Sequence, residues 1–170
     1  RGAGGYGREF VAQGFGHWSP DPQRDLVDAA RWAVDEKIAA PGRLGIWGWS
    51  YGGLSTFTVL SQWPDEFACG IAMYGLSDLE AFATRIGRGR SLAEVQRRIG
   101  DPSSDEGRAR LREQSPLTHA DRVTRPLLVT HGGRDITALP SQSQRFVEAL
   151  AERHHPVTYL LYPEEPHDYR

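Results

Sequence analysis

A single cysteine, Cys69, in 170 residues excludes an internal disulfide and leaves no thiols for a cysteine-rich metal centre. Its small and apolar neighbours, Ala68, Gly70, Ile71 and Ala72, lead us to expect a buried residue and not a nucleophile. An excess of basic charge is also missing. Twenty Lys and Arg stand against 22 Asp and Glu, a net charge of -2, which gives no electrostatic footprint for nucleic acid. Lysine is nearly absent (Lys37 is the only one), a bias that carries no mechanism. No apolar run approaches the ~20 residues that span a membrane. No apolar leader follows Arg1, and the compartment stays open, with cytoplasm expected ahead of a secreted or periplasmic location. The sequence also lacks internal repeats and low-complexity linkers, and its length suits one domain over 1–170 with a core of its own.

What is present is a sharp local pattern. Gly48-Trp49-Ser50-Tyr51-Gly52-Gly53 follows the strand-like run Leu44-Gly45-Ile46-Trp47 and precedes Leu54, Phe57 and Leu60 at helical spacing. A serine between two such glycines marks a tight strand-to-helix turn that exposes its hydroxyl, with no room for a Cβ at the flanking positions.

The rest of the chain supplies the matching context. Residues 1–18 are glycine- and aromatic-rich and read as a loop. Asp21 reads as an N-cap with Pro22 in the first helical position. The helix presents Leu26, Ala29, Ala30, Ala33, Val34 and Ile38 on one face and is stopped by Pro41-Gly42. Strands are expected over 43–48, 67–74 (covered on both faces), 127–130 and 157–162. Helices are expected over 51–62 and around Phe146 to Ala151, and two or three short ones over 78–122, lying on the sheet edge. This alternation predicts an α/β fold, a mostly parallel sheet with helices on both faces and every strand-exit loop on one rim.

A serine hydroxyl needs a base to take its proton and a carboxylate to hold that base. Beyond the third strand stands His131-Gly132-Gly133-Arg134-Asp135; beyond the fourth, Tyr162-Pro163-Glu164-Glu165-Pro166-His167. Ser50, Asp135 and His167 therefore each lie just past the carboxyl end of a strand. At these residues, and at Arg1-Gly2, Gly5-Tyr6-Gly7-Arg8-Glu9-Phe10 and Asp25 to Ala30, the chain resembles the prolyl oligopeptidase family of serine peptidases. The resemblance implies part of an α/β-hydrolase domain in which Ser50 attacks, His167 shuttles the proton and Asp135 orients His167. It also implies that the backbone N–H of Tyr51 is one arm of the oxyanion hole. No cofactor or metal is implied. The family's earlier strands, upstream oxyanion tyrosine, β-propeller and closing helix have no counterpart in the sequence, so the implied partners are a peptide substrate, the remaining part of the same polypeptide, and further copies through self-association.

Rival readings concern the same residues. Asp78 offers a second carboxylate after a strand, yet Leu76-Ser77-Asp78-Leu79 reads as a helix cap. Asp168 reads as a surface carboxylate beside His167, and His131 as a packed or hydrogen-bonded neighbour of the acid loop. His154-His155 reads as a solvated helix end. Gly2-Ala3-Gly4-Gly5-Tyr6-Gly7 fits a dinucleotide fingerprint in letters only, since no strand precedes it. Tyr74 and Phe82 suit a specificity pocket or the core equally. The expected function is a serine peptidase acting on short peptides. The alternatives are a carboxylesterase with the same three residues, or a silent segment that needs a partner.

Overall fold

The computed structural model describes residues 1–89 and 91–169. Four parallel strands, β1 (Gly45–Trp49), β2 (Cys69–Met73), β3 (Leu127–Gly132) and β4 (Val157–Tyr162), form one sheet in the order β1-β2-β3-β4. Their register is continuous: Gly48, Ala72, Val129 and Tyr159 share one row, and Trp49, Met73, Thr130 and Leu160 the next. Helices α1 (Arg8–Ala12) and α2 (Asp21–Asp35) precede β1. The crossovers are α3 (Tyr51–Gln62) between β1 and β2, and α7 (Ser141–Ala151) between β3 and β4. Between β2 and β3 lie α4 (Leu79–Gly87), α5 (Leu92–Arg98), α6 (Asp105–Glu113) and a 3-10 segment, Pro116–Arg122.

α3 is central because almost every side chain from Gly53 to Ser61 is buried. It packs on β1 and β2, α7 packs on β3 and β4, and the 3-10 segment is wedged between the two helices. Phe57 stacks on Phe146 with ring centroids 4.2 Å apart, both fully buried. Two polar side chains of α3 turn back on the helix itself, the Ser55 hydroxyl donating to the Tyr51 carbonyl and Thr56 to that of Gly52, while Thr58 pairs with Ser19. α4, α5 and α6 close a second cluster, in which Leu54, Leu76, Leu79, Val95, Ile99, Leu111 and Ala138 are buried. Leu76 and Ala138 follow β2 and β3, so this cluster caps the rim where the strands end instead of lying on the sheet edge as expected.

Several expectations need correction. Residues 1–18 are not all loop, since α1 forms within them. Asp21 is the first residue of α2 and not its cap; Pro20 holds the cap position, and the Asp21 carboxylate lies 3.0 Å from His17 Nδ1. The buried stripe of α2 is Gln23, Val27 and Ala30, one step round from the Leu26–Ala29–Ala33 face. That stripe meets α3, while Leu26 and Ala29 look onto a cavity of about 700 Å³ bordered by Ile46 and Trp47 of β1. Phe57 is fully buried, whereas Trp32 is exposed.

The parallel α/β sheet is as expected, but the described helices cover one face of it. On the other, Trp47 (61% exposed), Trp49 (52%) and Ile71 (38%) stand in solvent beside Leu160 and Tyr162. β2 accordingly alternates exposed and buried residues where burial on both faces was expected, and Cys69, on the open face, is exposed. Among the described residues, β1 is paired on one side only, which leaves a strand edge beside the two tryptophans. Apolar edges and faces of this kind pair with other chains. The isolated 170-residue chain is therefore expected to self-associate, and light scattering behind a sizing column is the check. A monodisperse monomer that unfolds cooperatively would contradict this.

Candidate active site

β1 runs straight into α3 through one residue, Ser50, whose φ of 54° and ψ of -115° lie where a residue with a Cβ seldom sits. Strain of this kind costs on the order of 1–3 kcal/mol and persists only where its surroundings fix it. Here the Ser50 N–H donates to the Met73 carbonyl (3.0 Å), and the Ser50 carbonyl accepts from the Leu54 N–H (3.1 Å). Close backbone contact makes the turn possible. A Cβ on Gly48 would stand 2.3 Å from the Gly52 oxygen, so the strand end touches the helix start. The second steric demand falls at Gly53, where a Cβ would lie 2.6 Å from the Gly75 Cα, and not at Gly52, where a Cβ would meet nothing within 4 Å.

The acid and base loops are joined to each other. Gly132 and Gly133 leave space for the incoming chain: a Cβ on the first would sit 2.4 Å from the Glu165 carbonyl oxygen, and on the second 2.6 Å from that of Pro163. The Gly133 N–H donates to the Tyr162 carbonyl (2.8 Å) and the Arg134 N–H to that of Glu165 (2.9 Å), with an Arg134–Glu164 ion pair outside. This pairing carries His167 over the sheet end. Asp135 is 2% exposed, and its Oδ1 accepts from the N–H groups of Thr137 (2.8 Å) and Ala138 (2.9 Å). Its Oδ2 lies 2.7 Å from His167 Nδ1, and His167 Nε2 lies 3.0 Å from Ser50 Oγ. A buried carboxylate only accepts, so His167 carries its proton on Nδ1 and offers the Nε2 lone pair to the Ser50 hydroxyl. An imidazole held this way can take the serine proton. Tyr51 opens α3, so its N–H belongs to the helix's first turn, where donors lack an intrahelical acceptor.

Three neighbours complete the site, of which the sequence offered Tyr74 for a pocket or the core and His131 as a neighbour of the acid loop, and did not point to Gln23. Tyr74, buried and with φ of 38°, sets its ring edge-on to His167 at 4.6 Å, and Tyr169 packs on Tyr74 while its hydroxyl donates to Thr130 Oγ1. His131, fully buried, has Nε2 2.8 Å from the Ala138 carbonyl and 3.2 Å from Asp135 Oδ2, and Nδ1 2.7 Å from Ser143 Oγ. Burial pushes its pKa below the ordinary histidine value, against the opposing pull of the Ala138 carbonyl and Asp135. It is the buried, hydrogen-bonded neighbour of the acid loop that the sequence led us to expect. The third is Gln23, whose Nε2 lies within hydrogen-bond distance of the Trp18 carbonyl, Tyr51 Oη and Ser55 Oγ, while the Tyr51 hydroxyl donates to the Trp18 carbonyl and its ring sits edge-on to Trp18.

The rival residues lie elsewhere. Asp78 caps α4 by accepting from the Ala81 N–H (2.9 Å) and pairs with Arg145 on α7. Asp168 is exposed. His155 donates to the Arg125 carbonyl and His154 is exposed. Gly2, in the glycine-rich segment, folds back on Gly14 and donates to the Phe10 carbonyl. Phe82 lines a cavity of about 530 Å³ together with Trp18, Ile86, Ile99, Ile136 and Thr137.

A parallel sheet with a serine on a strand-to-helix elbow, its rim loops bringing a histidine and a buried aspartate to it, defines an α/β-hydrolase. The chain belongs to the prolyl oligopeptidase family, whose model matches residues 1–170. It is 37% identical to dipeptidyl aminopeptidase BIII of Pseudoxanthomonas mexicana, over 99% of this chain and 25% of that protein. To dipeptidyl peptidase family member 6 of Caenorhabditis elegans it is 38% identical, over 100% of this chain and 23% of that protein. Among solved structures, a puromycin-hydrolyzing peptidase of Mycobacterium tuberculosis superposes with a TM-score of 0.87 at 36% identity, over 99% of this chain and 25% of that one. The chain thus spans about a quarter of the length of these relatives.

Proposed function

We propose that this chain carries the catalytic centre of a serine peptidase that hydrolyses short peptides through an acyl-enzyme on Ser50. The observation that carries the reading is the hydrogen-bonded series Ser50–His167–Asp135, assembled from three separate strand-exit loops. Ser50 Oγ attacks the peptide carbonyl carbon while His167 Nε2 takes its proton, and Asp135 stabilises the imidazolium. The Tyr51 N–H donates to the oxyanion that forms. His167 returns the proton to the leaving amine as the C–N bond breaks, then activates water to hydrolyse the ester on Ser50. The relatives' names, dipeptidyl aminopeptidase and puromycin-hydrolyzing peptidase, support amide-bond substrates.

The cavity lined by Trp18, Phe82, Ile86 and Ile136 is the proposed seat of the side chain next to the scissile bond. Trp18 touches the Tyr51 ring beside Ser50, and Ile136 directly follows Asp135, so the cavity has a triad neighbour on either side. Arg85, Glu94 and Arg98 also line it, but its walls are mostly apolar and favour an apolar side chain. The chain works as part of a longer polypeptide, other segments of which cover the open face and edge of the sheet; the quarter-length match to its relatives supports this. The full-length polypeptide is expected to take a fluorophosphonate label on Ser50 and to cleave peptidyl anilides, those with an apolar residue before the anilide fastest. Turnover of a short-chain nitrophenyl ester alone would make it a carboxylesterase, and absence of label would remove the acyl-enzyme reading.

A further inference from the structure

The hydrolytic scheme gives His131 no task, although this fully buried imidazole lies against the acid of the proposed triad. Its protonation is set by its partners. The Ala138 carbonyl and Asp135 Oδ2 both accept, and both face Nε2, so Nε2 carries the hydrogen. Nδ1 is then a bare lone pair and accepts from the Ser143 hydroxyl at 2.7 Å. The opposite tautomer would set a lone pair against two acceptor oxygens in a buried site, which is costly. The titratable groups facing His131 are Asp135 from its own loop and, beyond that, His167 from the loop after β4; α7 contributes the Ser143 hydroxyl.

The Asp135 carboxylate thus accepts from the Thr137 and Ala138 N–H groups and from His167, and the His131 Nε2–H, bonded to the Ala138 carbonyl, lies 3.2 Å from Oδ2. The Thr137 and Ala138 N–H groups pin Oδ1, which by itself leaves Oδ2 free to swing about that anchor. His131 and His167 approach Oδ2 together. We propose that His131 is a positioning residue for Asp135: its Nε2–H, shared between the Ala138 carbonyl and Oδ2, steadies Oδ2 where His167 needs it and draws off part of the charge that the His167 proton feels. This rests on the Ser50–His167–Asp135 reading. Ser143 belongs to the same device, because it fixes the tautomer that makes His131 a donor.

The consequence has a definite sign. Removing the donor leaves more negative charge on Oδ2, which favours the charged form of His167. A base that stays protonated to higher pH is idle to higher pH, so the acid limb of kcat/KM moves up. His131→Met removes the donor at similar length, whereas His131→Gln keeps an N–H near the Nε2 position. Each variant of the full-length polypeptide is assayed with a peptidyl anilide, with rates divided by the sites titrated with fluorophosphonate. Expected for His131→Met is a loss of about tenfold in kcat per titrated site, KM within about twofold, and an acid limb shifted upward by about half a pH unit or more. His131→Gln restores most of both. Ser143→Ala, which leaves Asp135 and His131 in place, shifts the limb the same way by less, and decides the matter if His131→Met does not fold. An unmoved acid limb and full turnover per titrated site, with only the melting temperature lowered, would overturn the proposal. Failure of the wild-type protein to label at Ser50 would instead strike the triad reading itself, and this inference with it.

Discussion

Asp135→Asn is expected to lower kcat in the full-length polypeptide by about 10⁴ at neutral pH, the scale seen when a triad carboxylate becomes an amide. The geometry says why. Thr137 and Ala138 present two N–H donors to Oδ1, so the asparagine carbonyl oxygen takes that side and its NH₂ is left facing His167. A donor there forces His167 to accept at Nδ1 and carry its hydrogen on Nε2, which then points at Ser50 and cannot receive its proton. The same NH₂ also meets the Nε2–H of His131, donor against donor. Asp78→Asn serves as the comparison. Asp78 caps α4 and pairs with Arg145; asparagine caps as well as aspartate, so the change should cost only the ion pair, at most about 1 kcal/mol, and leave turnover within a few-fold. Steady-state kinetics on a peptidyl anilide, alongside thermal melts of both variants, decide between the two carboxylates. The reverse pattern would assign the acid to Asp78.

Ser50→Ala is expected to reduce kcat by about 10³ or more, with KM little changed, because the substrate's binding surface stays intact while the nucleophile is lost. Alanine retains the Cβ, so the elbow keeps its shape: Gly48 still meets Gly52 and Gly53 still meets Gly75. The position-50 N–H still donates to the Met73 carbonyl, so Asp135 and His167 should stay in place. The residual rate then measures what the Tyr51 N–H and substrate binding provide without covalent chemistry. Pre-steady-state kinetics on an activated ester should show the burst of acyl-enzyme vanish together with the fluorophosphonate label. Near wild-type turnover in this variant would end the serine-hydrolase reading.

The sequence by itself determined which residues could meet. Ser50, Asp135 and His167 were legible because each follows a short apolar run and a turn built on glycine or proline, and in a parallel sheet with right-handed crossovers all such exits share one rim. Element types were legible for the same reason, since the apolar periods of strands and helices differ. Periodicity, however, shows that a stripe exists and not what lies opposite it. On α2 the Gln23–Val27–Ala30 stripe and its Leu26–Ala29 neighbour differ by a small rotation, and only the position of α3 chose between them. The exposure of Cys69 and the open tryptophan face follow from where the described helices sit on the sheet, which no local pattern records. The fine structure of the site was decided by tertiary structure in the same way. His167 reaches Ser50 across 117 residues and Asp135 across 32, and the loops that bring them together are held by backbone bonds whose glycine clearances appear only when both loops are present. Tyr74 against His167 and Gln23 against Tyr51 belong to that level: a side chain's chemistry is written in its letter, but its partner is chosen by the fold.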